Sequence, residues 1–302
     1  MISKIDMPLS VVVPVYNEER AIEETLSQLS SVLNAAFETF ELILVNDGSK
    51  DRTGEVLSRV LSAYDQERFR QETHPVNRGY GASLKTGIRA ARYPVIAITD
   101  ADSTYPNDRL PDLVRLFQTG YDMVVGQRRF RHLPMITRPA KWMITSLANF
   151  LVGRKIPDIN SGLRVFRKDL ARRFFPIISD GFSFTTTITL AMLTSGYRVH
   201  YEPIEYFTRT GSSKIRPIRD TLNFVQLILR TVMYFNPLKV FIPVSLFLLL
   251  SSVVLYLLGR FGILFHEPPV DTVTLLVIGA VQILATGMLA DLIVKRREIS
   301  DE

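Results

Sequence analysis

Asp100 and Asp102, in the stretch AITDADSTYP, are carboxylates separated by a single alanine directly after an apolar run. Like charges this close repel, and each raises the other's pKa unless something positive sits between them. A solvated turn is one reading, because Asp and Pro are common turn residues. A hard divalent cation, Mg2+ or Mn2+, is the other. Such ions take one or two carboxylates and complete their coordination with water and substrate phosphate. Asp102 is then the metal ligand, and Asp100 its partner toward a ribose or a metal-bound water.

Other residues of the same chemical kind follow apolar runs elsewhere. Asp47, in LILVNDGSKDRT, is placed to accept bonds from a base or ribose, or else to make an Asx turn; Asp51 with Thr53 reads as helix capping. Pro14, Tyr16 and Glu18 lie in PVYNEE, where Tyr16 is either a platform for a planar base or core, and Asn17 a helix cap. Arg128, in VVGQRRF, carries a planar fork suited to phosphate oxygens. Arg164 in INSGLRVF, and Arg209 with Lys214 in YFTRTGSSKIR, are further candidates. Arg129, Arg131 and Arg138 read better as solvated or membrane-surface charge.

These residues need elements to position them. Leu9–Val15, Phe40–Val45, Pro94–Thr99 and Asp122–Gly126 read as short apolar strands. Helical patterns run over Glu18–Ala36, Thr53–Gln66, Gly81–Arg92 and Asp108–Gln118. Strands of continuous apolar character alternating with helices predict an α/β fold with a mainly parallel sheet covered on both faces. Ligands of such sheets sit beyond the carboxyl ends of the strands. PVYNEE, VNDGSKDRT, TDADSTYP and GQRRFR fall at those ends.

With 302 residues the chain can bury a large core, and its net charge of +6 favours anionic partners. The absence of cysteine excludes disulfides and thiolate metal sites. Val240–Leu258 and Thr272–Ala290 are uncharged runs, each close to the ~20 residues a helix needs to cross a bilayer. Lys239 before the first, and Lys295, Arg296 and Arg297 after the second, predict a membrane hairpin with both termini cytoplasmic. MISKIDMPLS has no long apolar segment of signal-peptide type. Residues 137–152 and 215–236 mix basic and aromatic residues with an apolar face; they read as interfacial helices on an anionic leaflet, or as amphipathic core helices. The domain reading is 1–214 catalytic, 215–236 interfacial and 237–302 membrane hairpin.

The ordered series PVYNEE, LVNDGSKDRT, NRGYGASLKTGI, TDADSTYP, VVGQRRF, NSGLRVF and RTGSSKI resembles glycosyltransferase family 2, in its dolichyl-phosphate mannosyltransferase and polyisoprenyl-phosphate glycosyltransferase branch. The resemblance spans about residues 8–215 and implies a GT-A, Rossmann-like catalytic fold, a nucleotide-sugar donor of the UDP or GDP type, and Mg2+ or Mn2+. Carried over by position, Pro14, Tyr16, Glu18 and Asp47 would hold the nucleoside, and Asp100, Ala101 and Asp102 would touch ribose, metal and diphosphate. Thr104 stands near the metal, where the branch often has Gln. Arg128, Arg209 and Lys214 would neutralise donor and acceptor phosphates, and Asp158 would face the acceptor. The chain departs from relatives at GFSFTTTITL, where many carry an acidic residue, and it lacks the QxxRW signature of processive synthases.

The expected activity is inverting transfer of one sugar to polyisoprenyl phosphate at the cytoplasmic membrane face, with Asp102, Asp158 and Arg128 as the catalytic set. Transfer to a lipid hydroxyl or lipid-linked sugar is the enzymatic alternative, and it requires a base such as Asp158 or Asp180. A silent lipid-binding scaffold is the non-enzymatic one. Anionic lipids are expected partners, nucleic acid is not, and a homo-oligomer is left open.

Overall fold

The computed structural model describes residues 4–128, 145–150, 152–178, 180–181, 183–207, 217–261 and 269–300, without the side chains of 217–224 and 297–300. Its strands are β1 (Leu9–Val15), β2 (Phe40–Asn46), β3 (Phe69–Thr73), β4 (Val95–Ile98), β5 (Met123–Arg128), β6 (Arg164–Arg167) and β7 (Val199–Ile204). They form one seven-stranded sheet in the order β3-β2-β1-β4-β6-β5-β7. β1 pairs in parallel with β2 and β4, β2 with β3, and β5 with β7. β6 alone runs against its neighbours β4 and β5. The mainly parallel α/β expectation therefore holds.

Both faces of the sheet are covered, which explains the continuous apolar character of its central strands. Val11, Val13, Leu42 and Leu44 face one core with α1 (Ile22–Ala36), α2 (Thr53–Leu61) and α4 (Leu110–Gln118). Val12, Ile43, Val45 and Ile96 face the other, with α3 (Tyr80–Ala90), α6 (Lys168–Arg173) and α7 (Phe184–Thr194). The short helix α5 covers 145–150.

The sequence reading missed three strands. β3 (FRQET) and β7 (VHYEPI) are the two edges of the sheet, half-covered and polar in pattern, so alternation and apolar runs both fail there. β6 is only four residues long. The first helix begins at Ile22 rather than Glu18, because residues 16–21 form a loop over the end of β1; the second stops at Leu61, short of Gln66.

Two further helices, α9 (Leu238–Arg260) and α10 (Val270–Ser300), are long and apolar enough to cross a membrane, with mean hydropathies of 2.5 and 2.1. Only 11% of either apolar window is buried, so these are not core helices of a soluble fold. Phe247 and Leu275 are 68% and 70% exposed. The pair touches through small residues: Ser245, Ser252 and Gly259 are buried on α9, and Ala280 on α10. Ser245 Oγ donates to the Ala280 carbonyl at 2.9 Å. α8 (Pro217–Phe235) joins this pair to the sheet domain through a small cluster of Ala148, Val152, Ile156, Leu190, Leu193, Ile228 and Val232, with Val240 packed on it. The helical stretches expected to be interfacial thus bury one face against α7 where they are described, and 137–144 lie outside the described residues.

Candidate functional site

The loops after β1, β2 and β4 are tied to one another by hydrogen bonds between distant residues. Asn17 adopts a left-handed conformation (φ 57°), which Asn tolerates, and its side-chain oxygen accepts from the Lys50 N–H at 2.8 Å. Its own N–H donates to Ser49 Oγ, and the Glu18 N–H donates to Thr53 Oγ1 at 2.9 Å. Thr25 Oγ1 on α1 donates to the Ala101 carbonyl, joining the β1 side to the β4 loop. Between these loops lies a recess of about 380 Å³ lined by Asn17, Glu18, Asp51, Asp102 and Ser103, among others. Tyr16 is 38% exposed beside it, Pro14 is half-buried and Ala101 is buried. A recess of about 460 Å³ between α1 and α2 is lined by the surface charges Glu19, Arg20, Arg52, Glu55 and Arg59. It holds neither Asp100 nor Asp102, so size does not mark the site.

Within the β4 loop, Asp102 Oδ1 accepts from the Thr104 N–H (3.2 Å) and from Thr104 Oγ1 (2.7 Å). Thr104, expected to stand near the metal, is 1% exposed, and its hydroxyl donates to Asp102, the expected metal ligand. Asp100 Oδ1 accepts from the Tyr80 hydroxyl at 2.9 Å. Burial, then the Asp100 charge, push the Tyr80 phenol well above its ordinary value, which keeps it a donor. Gly162 closes the other side of Asp100. A Cβ there would lie 2.8 Å from Asp100 Oδ2, so only glycine lets the chain approach.

Asp47 presents a different environment. It is 3% exposed, with Oδ1 accepting from the Arg78 N–H (2.9 Å) and facing His74 Nδ1 (2.6 Å), while Oδ2 accepts from the Gly79 N–H (2.8 Å). His74 Nε2 in turn meets Thr86 Oγ1 at 2.9 Å. Gly48 (φ +63°) supports this loop from below, where a Cβ would collide with the Val76 backbone at 2.5 Å. The Asp47 carboxylate thus ties the end of β2 to the 74–79 loop through long-range bonds rather than through a local Asx turn.

Arg128 ends β5 and forms a two-pronged ion pair with Asp158: Nε to Oδ2 at 2.8 Å and Nη2 to Oδ1 at 2.9 Å. Burial pushes the Asp158 carboxyl up, but the hydrogen bonds and charge of Arg128 outweigh it and hold the carboxyl below the usual range. Arg128 loses through burial and gains more from Asp158, so its guanidinium is held above its ordinary value. It also stacks over the Tyr206 ring at 5.2 Å, and Tyr206 lies edge-on to Tyr105. Tyr105 Oη accepts from the Gly162 N–H at 2.6 Å. A continuous wall thus runs from Asp100 through Gly162, Tyr105 and Tyr206 to Arg128.

Arg164 corrects the sequence reading. It was a phosphate candidate, yet it is fully buried, and its donors go to the carbonyls of Ser161, Thr185 and Ile159 and to Thr189 Oγ1. Burial lowers its pKa, as expected of a guanidinium without a direct carboxylate partner. It anchors the 159–161 turn beside Asp158. Arg209 and Lys214, like Arg129, Arg131 and Arg138, lie outside the described residues. Tyr80, Tyr105, Tyr206, Gly162 and His74 were not singled out in advance. Tyr80 and Gly162 sit inside the quoted motifs NRGYGASLKTGI and NSGLRVF, and that proximity was the available signal.

Among the described residues no three His, Cys, Asp or Glu side chains group to hold a metal. Asp102, with Asp100 near it, fits the remaining possibility: a hard cation completed by water and by oxygens of a bound phosphate.

A family model, Glycosyl transferase family 2, matches residues 10–175. The dolichyl-phosphate hexose transferase of Haloferax volcanii is 32% identical over 69% of this chain and 87% of its own length. The undecaprenyl-phosphate 4-deoxy-4-formamido-L-arabinose transferase of Shewanella sediminis is 29% identical over 58% of this chain, which spans only 55% of that protein. Among solved structures, glucosyl-3-phosphoglycerate synthase from Mycobacterium tuberculosis, in complex with Mn2+, UDP and glucosyl-3-phosphoglycerate, superposes with a TM-score of 0.57 at 20% identity, over 75% of this chain and 79% of that one. The sheet, the strand-end loops and the matched motifs agree: this chain belongs to glycosyl transferase family 2.

Proposed function

We propose that the chain transfers one sugar from a nucleotide-diphosphate sugar, of the UDP-glucose or GDP-mannose type, to polyisoprenyl phosphate at the membrane surface. The observation that carries this reading is the pairing, in one chain, of a strand-end recess lined by Asp102 with an apolar hairpin whose side chains face outward. The named acceptors of the two polyprenyl-phosphate transferases above, and the Mn2+ and UDP in the solved synthase, support the same substrate classes. Residues 1–214 are the catalytic unit, 215–236 its link and 237–302 the anchor, with the catalytic side cytoplasmic by the Lys and Arg flanks.

Asp102, with Asp100 beside it, would hold Mg2+ or Mn2+, which supplies Lewis-acid stabilisation of the leaving diphosphate when bound. Glu18 lines the recess and the half-exposed Tyr16 adjoins it, where the nucleoside would sit, and Tyr80 fixes the Asp100 carboxylate. Arg128, oriented by Asp158 and Tyr206, supplies fixed positive charge for phosphate oxygens. An acceptor phosphate is already anionic at pH 7, so no strong base is required. Its oxygen forms the new bond to the anomeric carbon as the bond to the nucleoside diphosphate breaks, inverting that centre. Transfer to a hydroxyl would need a base, and Asp158 suits that role poorly because its ion pair keeps it a weak one.

Mass spectrometry of lipid products tests the reading. Purified protein is incubated with polyprenyl phosphate, Mg2+ or Mn2+, and a panel of UDP- and GDP-sugars. A sugar-phosphate lipid from one donor is the expected result. Products formed only on hydroxyl acceptors would replace this reading with the alternative, and membrane binding without any turnover would favour the scaffold.

A further inference from the structure

We propose that the turn at Gly153–Lys155, with Phe150 and Lys239, is a docking surface for anionic phospholipid headgroups. The inference rests on reading α9 and α10 as membrane spans, and not on the identity of the sugar or acceptor. The turn is built to project. Asn149 ties it at both ends: its carbonyl accepts from the Gly153 N–H, and its side-chain oxygen accepts from the Ile156 N–H, each at 2.8 Å. Val152 and Ile156, on either side, are buried in the cluster with Leu190, Leu193, Ile228 and Val232. Arg154 and Lys155 between these anchors are exposed, and neither has an acidic partner among the described residues. Phe150, one turn earlier, is 62% exposed.

Position in the fold identifies the occupant. A Cβ at Gly153 would lie 3.5 Å from Lys239 Nζ, and Lys239 is the last charge before the uncharged run that begins at Val240. Lys239 therefore marks the plane where α9 enters the bilayer, and the turn stands at that plane. α10 runs antiparallel to α9, since Gly279 faces Leu248 and Gly287 faces Phe241. Its exposed Lys295, paired with Asp291, and Arg296 return to the same side, a turn or two beyond that level. Cations in the interfacial plane beside an exposed phenyl ring match a leaflet of anionic phospholipid: the ring enters the acyl boundary while the charges meet phosphates. Docking there would hold the catalytic domain at a fixed tilt to the membrane.

The chain has no cysteine, so a single introduced thiol is unambiguous. Full-length Phe150→Cys carries a fluorophore in nanodiscs of phosphatidylcholine, with or without phosphatidylglycerol, and quenching by a spin-labelled lipid is measured. Phe247→Cys reports the hairpin and Ser58→Cys the distant surface of α2. The expected result is strong quenching at 150 in phosphatidylglycerol discs and weak quenching in pure phosphatidylcholine. Each charge removed in Arg154→Gln/Lys155→Gln lowers the docked-to-undocked ratio about fivefold, and Arg154→Lys/Lys155→Arg restores it. Quenching at 150 that ignores both lipid charge and these substitutions overturns the proposal. So does its absence while 247 is quenched. An unquenched 247 would overturn the membrane reading as well, and because no turnover is measured, neither outcome bears on the choice of substrate.

Discussion

Asp102 and Asp158 are the same residue type at neighbouring strand ends, yet their surroundings divide them. Asp102 accepts from the N–H and hydroxyl of Thr104, two residues along its own loop, and lines the recess between the β1 and β4 loops. Asp158 is 6% exposed, gripped by a two-pronged guanidinium from β5 and by the Asn160 N–H. Asp47 belongs with Asp158, since its donors come from residues 74–79. A carboxylate that lines a recess can meet a ligand there. One wrapped by distant donors holds the chain together, and its charge serves another residue.

The largest effect should fall on Asp102. Asp102→Asn keeps the Thr104 contacts in shape but loses the charge that a divalent cation needs. Activity should drop at least ~10³-fold, matching several kcal/mol of lost charge stabilisation. Thermal unfolding should change little, because a partly exposed loop carboxylate supports little of the core. Steady-state turnover and calorimetry on the same preparation separate the two effects. A marked loss of Tm with activity retained would erase the distinction from Asp158.

Asp158→Ala comes next, and it should act first on stability. Leaving the buried Arg128 without its partner costs about 3–5 kcal/mol, readable as a lower urea midpoint. The pH dependence has a definite sign. Asp158 titrates lower in the folded chain than in the unfolded one, so its contribution is complete above the unfolded value of ~3.9 and is lost as pH falls toward the folded value. Asp158→Asn should flatten that acid limb of the stability curve. If stability between pH 3 and 4 falls equally steeply in wild type and variant, the ion pair is not what holds the β5 end.

How much of this was legible in the sequence follows the same division. The central strands announced themselves, because burial on both faces leaves Val11–Val13 and Leu42–Val45 without a polar residue. The motif acids were found because polar residues directly after such strands are conspicuous. What stayed hidden was partnership. Nothing in FRQET identifies an edge strand, and nothing in Asp47 tells that His74 and Gly79 will close on it. Arg164 looked like a phosphate ligand by residue type, while its burial under α7 depends on contacts from 185 and 189. Long-range hydrogen bonds decide whether a charge is offered or withheld, and local pattern does not encode them.

His74 tests the clamp on the 74–79 loop. His74→Ala removes the Nδ1 contact to Asp47 and the Nε2 contact to Thr86 together. A hydrogen bond to a charged partner contributes ~1.5–3 kcal/mol, so stability should fall within that range. Donor KM should rise more than kcat falls if Asp47 and its loop serve the donor, as the family resemblance implies, rather than the reacting atoms. His74→Asn, which can still donate toward Asp47, should recover part of both losses. An unchanged donor KM with the full stability loss would make the clamp purely architectural.

Thr104 gives the smallest and sharpest separation. Its N–H and its hydroxyl converge on one oxygen of Asp102, so Thr104→Val removes one contact and leaves the other, with nearly the same volume. One such hydrogen bond has a net worth of ~1 kcal/mol, which corresponds to about a fivefold rise in the Mg2+ or Mn2+ concentration needed for half-maximal turnover. Thr104→Ser keeps the hydroxyl and should restore the wild-type midpoint. Were Thr104 itself a metal ligand, valine would cost far more than fivefold, and the preference between Mg2+ and Mn2+ would shift as well. The titration therefore distinguishes an orienting hydroxyl from a coordinating one, and with it whether Asp102 is aimed by its own loop.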